Sequence, residues 1–312
     1  MTNLTISEFL TIPHKPLIRH LTKHIKGGNT ISRSHGWDYT DIRCAESWDQ
    51  FSLETLTNRF GPLFDLRISS SSLQDKVPGN YLKIRSEHRL EILLHMTRLT
   101  RVNIALQYVN KHLIRNEQLS NRFERLLERH AISPGLQYGA GKPDLTFHLY
   151  ADHDQLSPLA VGDIKLSAKW SYDRWKSPIL QDRVDFRQVL AQINYYMRNR
   201  KCRYAVVITE VECVAVYRVP GFNGWLKLSE PFPVDWTDNM NSDNSDVMTA
   251  NVALLGLSLW AQWAADAEEE EVEEEDAELD DYFPEEPSSP PMPSSPPVRG
   301  HLTSEYLPSS QY

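Results

Sequence analysis

The sequence predicts an α/β protein in which helices cover a mixed β-sheet. Three observations carry that reading: a helical periodicity that starts at residue 86, a pair of short β-rich runs (PDLTFHLY and PLAVGDIKL), and a second pair (RYAVVIT and ECVAVYRV) beyond another helical segment. Helices and strands that alternate in this way pack as layers around one sheet.

Each element has its own signal. Leu90, Leu93, Leu94, Leu99, Val102, Leu106, Val109 and Leu113 recur at mixed three- and four-residue steps after Ser86, a good N-cap, and so predict a long helix with one buried face. A second helix is expected over about 117–130, where Leu119, Phe123, Leu126 and Leu127 make one apolar stripe. The turn-rich stretch ISPGLQYGAGKPD follows. The two β-rich runs after it flank the polar spacer ADHDQLS, which suits a hairpin. A helix over about 180–200 comes next, and RYAVVIT is apolar enough to be buried on both faces of a sheet.

The ends of the chain differ from its centre. Residues 1–85 mix Pro, Gly, Ser and Trp without a period, and are expected to form an irregular arm with short helices. Residues 86–265 form the expected main domain. Within it, 247–265 is strongly apolar but carries Asn251 and Gln262 and lacks basic flanking anchors, so it reads as a buried or docking helix, not a membrane span. Residues 266–312 begin with an acidic run, continue as SSPPMPSSPP, and are expected to be a disordered tail.

Charge follows the same division. The net charge of −9 arises because residues 266–286 hold fourteen Asp or Glu and no Lys or Arg, which leaves residues 1–265 at +5. A mildly basic body is compatible with a polyanionic partner, and the acidic tail with basic partners or with a basic groove of the body itself. Cys44, Cys202 and Cys213 are odd in number and form no CxxC pair, which speaks against a disulfide framework or a cysteine zinc site. The first twenty residues show no uninterrupted apolar region of a secretory signal, so an intracellular location, nucleus or cytoplasm, is expected.

Three residues carry the chemistry. Asp144 opens one predicted strand, and Asp163 and Lys165 lie two apart on the next, so their side chains share a face. If the hairpin pairs in register, Asp144 approaches the same face. Two carboxylates there make a hard-oxygen site suited to Mg or Mn, with the backbone carbonyl of Ile164 as a further ligand. Lys165 is placed to orient water or to neutralise charge on a phosphate. Ordinary solvated charges at strand ends remain the competing reading of so short a pattern. On the following helix Gln188, Gln192 and Tyr196 stack at i, i+4 steps. They either border a buried Val189–Ile193 stripe, or send Gln192 and Tyr196 to the metal site or a phosphate.

In order and spacing, GKPD, VGDIKLSAKW, QVLAQINYYM and RYAVVITEVECVAVYRV resemble the PD-(D/E)XK nuclease-like proteins of fungi, over about residues 115–230. The resemblance implies a restriction-endonuclease-like αβββαβ core, metal held by Asp144 and Asp163, and a catalytic Lys165 acting on nucleic acid, DNA more than RNA. Asp163 stands where that motif usually has Glu, one methylene longer. The family's helix before the sheet often supplies an acid, a role open to Glu124 or Glu117, which otherwise belong to a solvated helix face.

From Lys165 to Arg203 there are ten Lys or Arg against three Asp. Lys169, Trp170, Arg174, Lys176 and Arg187 are therefore candidates to grip phosphates and stack on bases. Trp170 and Trp175 have packing over the sheet edge as their alternative. The alternative function is a catalytically idle relative that uses the fold to bind nucleic acid or protein. Two further patterns fail: Gly135–Lys142 has the wrong spacing for a phosphate loop, and His148, Asp152, His153 and Asp154 are expected in an exposed hairpin loop.

Overall fold

The computed structural model describes residues 3–12, 18–19, 36–69, 83–126, 129–135, 142–150, 156–234 and 248–275. The N-terminal part runs β1 (Asn3–Thr5), α1 (Ile6–Thr11), β2 (Ile18–Arg19), β3 (Cys44–Ser47), α2 (Leu53–Phe64), β4 (Arg67–Ser69) and β5 (Lys83–Ile84). Next come α3 (Glu87–Leu94), α4 (Thr100–Arg115), α5 (Glu117–Arg122), β6 (Arg129–Pro134), β7 (Leu145–Tyr150) and β8 (Leu156–Ile164). The chain continues with α6 (Leu180–Asn199), β9 (Tyr204–Ile208), β10 (Glu212–Arg218), β11 (Trp225–Leu228), β12 (Phe232–Pro233) and α7 (Ala250–Glu275).

One eight-stranded mixed sheet organises the molecule, in the order β3-β11-β10-β9-β8-β7-β6 with β12 on β10. The β8–β9 and β11–β3 pairs are parallel and the others antiparallel. Strand alternation feeds two cores. Tyr204, Val206 and Ile208 of β9 join the side chains of α1, α2, α3, α4 and α7, whereas Ala205 and Val207 face the cluster built around α6. The predicted burial of RYAVVIT on both faces is what this layering produces.

Ser86 caps α3 as expected, its side chain accepting from the Arg89 amide. The long helix is not uniform, however: His95–Leu99 is a π turn between α3 and α4. The sequence contained its trace, since Leu94 and Leu99 are five residues apart, and a π turn returns both to the buried face.

The second helix is shorter than expected. It ends at Arg122, a 3-10 turn covers Glu124–Leu126, and residues 129–134, expected as helix and turn, form β6 instead. RHAISP has weak strand content of its own, but all six residues pair with β7. The Asn103 side chain of α4 donates to the Ile132 carbonyl and accepts from its amide, each at 2.8 Å, so the backbone of Ile132 is satisfied on the outer side of the edge strand.

The N-terminal region is more than an arm. Ile6, Phe9, Leu10, Leu56 and Phe60 are fully buried, and β3 pairs with β11 at the end of the sheet. The apolar part of α7, up to Ala264, is buried as expected, and Asn251 within it donates to the Leu10 carbonyl at 2.9 Å, tying α7 to α1. Helical backbone continues to Glu275, ten residues into the stretch expected to be disordered, and the rest of that expectation, 276–312, lies outside the described residues. Among the described residues no helix is long and apolar enough to cross a membrane.

Candidate active site

Register decides how the carboxylates meet. Leu145 pairs with Gly162 across the antiparallel β7–β8 ladder, so Asp144, one residue earlier, stands across from Asp163. Gly162 makes the close approach possible: a Cβ there would lie 2.9 Å from Val206 Cγ1 and 3.0 Å from Leu145 Cβ. The Ile164 amide donates to Asp144 Oδ2 at 2.7 Å and fixes that carboxylate over the end of β8. The Lys165 amide donates to the Ile208 carbonyl at 2.9 Å, extending the β8–β9 pairing by one step.

Lys165 Nζ lies 2.5 Å from Asp163 Oδ2, and the two side chains are 13% and 2% exposed. So strong a burial of opposite charges fixes the ammonium as a cation. Burial alone would lower its pKa, but Asp163, Asp144 and Glu87 outweigh that and hold it above the ordinary lysine range. Asp144 moves the other way for a carboxylate. Burial first, and then the neighbouring Asp163 charge, push it up to about 7, although Lys165 and the Ile164 amide pull against them.

Helix α6 supplies the lid of this arrangement. Gln192 Nε2 donates to Tyr196 Oη at 2.9 Å, and Tyr196 interacts electrostatically with Asp163, Lys165 and Asp144. Burial is the main reason that its phenol is pushed up to about 12, so it remains a neutral donor. Gln188, Val189, Ile193 and Tyr196 are buried, as the packing reading of this face expects, and Gln192 bonds Tyr196, which lies within electrostatic reach of the carboxylates.

The nearby helical acids are not the ones expected. Glu124 is exposed in the 3-10 turn that packs on α7, and Glu117 is exposed at the start of α5. The acids that act on the cluster are Glu91, which raises Asp144, and Glu87, which raises Lys165, both from α3. They stand one turn apart directly behind the Ser86 cap, a spacing that by itself does not point to the carboxylates.

The basic candidates divide. Trp170 is fully buried and stacked on Phe186 with ring centroids 5.6 Å apart, so it is core and offers no face to a base. Arg174 donates to the carbonyls of Lys169 and Ala168 at 2.7 and 2.8 Å, closing the loop after β8. Lys169 pairs with Glu87 at 3.1 Å. Lys176 and Arg187 are exposed. The loop itself is held by two acids that the sequence reading missed: Glu210 accepts from the amide and hydroxyl of Ser167, and Glu212 accepts from the Tyr172 amide at 2.7 Å. Of the rejected loop cluster, His148 sits buried within β7 and not in a loop, and Asp152, His153 and Asp154 lie outside the described residues.

No family model, curated protein or solved structure matches this chain. The site therefore has to be judged by its own chemistry. Among the described residues no group of three or more His, Cys, Asp or Glu is arranged to hold a metal ion. What is present is a pair of facing carboxylates, one buried ammonium and the backbone at Ile164. The pair carries one more negative charge than Lys165 offsets when both acids are ionised. A hard cation bound there would relieve the Asp163 repulsion, which is second to burial among the causes that raise Asp144.

Proposed function

We propose that this chain is a nuclease of the PD-(D/E)XK class, hydrolysing phosphodiester bonds of nucleic acid, DNA in preference to RNA. The observation that carries the proposal is the meeting of Asp144, Asp163 and Lys165 at one end of the β7–β8 pair. The run α5, β6, β7, β8, α6, β9 has the αβββαβ order of a restriction-endonuclease-like core, which supports the same reading.

Asp144, Asp163 and the Ile164 carbonyl would hold a Mg or Mn ion, which when bound supplies charge neutralisation and a more acidic water. Lys165 is a permanent cation beside them and counters the charge that develops on phosphate oxygen as the water attacks phosphorus and the ester oxygen leaves. Tyr196 adds a neutral hydroxyl donor, oriented by Gln192.

Purified protein should nick supercoiled plasmid in the presence of Mg or Mn and lose that activity in Asp163→Ala. Absence of cleavage of DNA and RNA in both metals would overturn the enzyme reading. The second reading, a binding module on the same core, is favoured by the direct Lys165–Asp163 ion pair and by the want of a third side-chain ligand among the described residues. Salt-dependent DNA binding without cleavage would select it.

A further inference from the structure

A separate cavity of about 290 Å³ opens on the other face of the sheet, between β9, β10 and β11 on one side and α2 and α7 on the other. Its walls are aromatic. Trp48 stacks on Tyr204 and Tyr217 with ring centroids 5.9 and 5.5 Å apart, and meets Trp260 edge-on at 5.8 Å. The Arg59 guanidinium lies over the rings of Trp260 and Trp263, 4.3 and 3.8 Å from their centroids. Lys227, directly across from Tyr217 in the β10–β11 ladder, is the second cation of the lining, and among the described residues no carboxylate lines the cavity.

Three ligand classes can be compared with this chemistry. A quaternary ammonium suits aromatic walls but not two resident cations, and Arg59 already covers two of the ring faces. A plain hydrophobe leaves Arg59 Nη1 as it is in the structure, buried and without a hydrogen-bond acceptor among the described residues, which is costly for a charged donor. A planar aromatic body carrying an acidic group satisfies both: the ring stacks on Tyr217 and Trp263, the partly exposed rings of the lining, and the anion meets the guanidinium and the ammonium. The volume lies at the lower edge of the roughly 300–1,000 Å³ of small-molecule sites, which suits a ligand no larger than a single mononucleotide.

We infer that the cavity lined by Arg59, Lys227, Tyr217 and Trp263 binds a nucleoside monophosphate, base on the two partly exposed rings and phosphate on the two cations. It is separate from the carboxylate cluster: Tyr204 pairs with Ala160, three residues before Asp163 on β8, and points to the opposite face.

Three tryptophans line the cavity, so intrinsic fluorescence reports its occupation. Titration of the full chain with AMP should quench saturably, and adenosine or inorganic phosphate should each bind at least about tenfold more weakly, since each lacks half of the recognition. Arg59→Gln and Lys227→Met should both weaken AMP binding. Lys227→Met is the cleaner variant, because Arg59 also packs on two tryptophans. Asp163→Ala should bind AMP like the unaltered protein, whatever becomes of nuclease activity. The inference is overturned if AMP gives no saturable quenching, if adenosine or phosphate alone binds equally well, or if a folded Lys227→Met protein retains full AMP affinity.

Discussion

Asp144 is the residue on which pH should act most visibly. Its folded pKa is raised from the ordinary 3.8 to about 7, so the folded state binds this proton more tightly than the unfolded chain does. The stability this group contributes is complete below pH 4 and is lost as pH rises to about 7. At about 1.4 kcal/mol per pKa unit the loss has an upper bound of roughly 4 kcal/mol. Asp144→Asn should therefore be more stable than the parent at pH 8 in chelator, but not at pH 4, as read from urea midpoints at the two pH values. Lys165→Met acts in the opposite sense. It strands Asp163, which is 2% exposed, without its cation and should cost about 3–5 kcal/mol at neutral pH in the same denaturation measurement. These residues were legible because the motif is local: an Asp opening one strand, and Asp and Lys two apart on the next. Glu87, Glu91, Glu210 and Glu212 were not, because what brings them to the cluster or its loop is packing between segments far apart in sequence.

Elements with a strong internal period were read well, and those defined by their neighbours were not. The helix over 180–200 and the strands read in PDLTFHLY, RYAVVIT and ECVAVYRV carry their own patterns, and they appear as α6, β7, β9 and β10. By contrast, β6 owes its existence to β7 and Asn103, and the helical stripe at 119–127 gave no reason to stop at Arg122. The contact between β7 and β8 offers a test at this scale. Gly162→Ala places a methyl group against Leu145 Cβ and Val206 Cγ1, both on strands that cannot easily move apart. We expect a loss of about 1–3 kcal/mol in chemical denaturation, with a parallel fall in any metal-dependent cleavage because Asp163 is the next residue.

At the scale of the whole molecule, α7 is the element that closes the fold. Its apolar side chains fill one core together with α1, α2 and α4, and its polar Asn251 is spent on the Leu10 carbonyl rather than on solvent. Leu255 is fully buried there, and Leu255→Ala should lower stability by about 2–5 kcal/mol, measurable as a lower urea midpoint with an unchanged fluorescence of the folded state. This packing also explains why an N-terminal region with no visible period is integral to the protein: its apolar residues are partners for a helix 240 residues later.

The amino-acid pattern by itself determined the α/β class, the identity of the helix and strands around the candidate site, and the three side chains at its centre. Those follow from periodicity and from spacing within a hairpin, which are properties of adjacent residues. Tertiary structure alone decided which acids join the cluster, that Trp170 is core, that β6 exists, and that an aromatic cavity with two cations forms behind the sheet. Each of these depends on surfaces from distant parts of the chain meeting, and burial and desolvation at such meetings have no signature in any one segment.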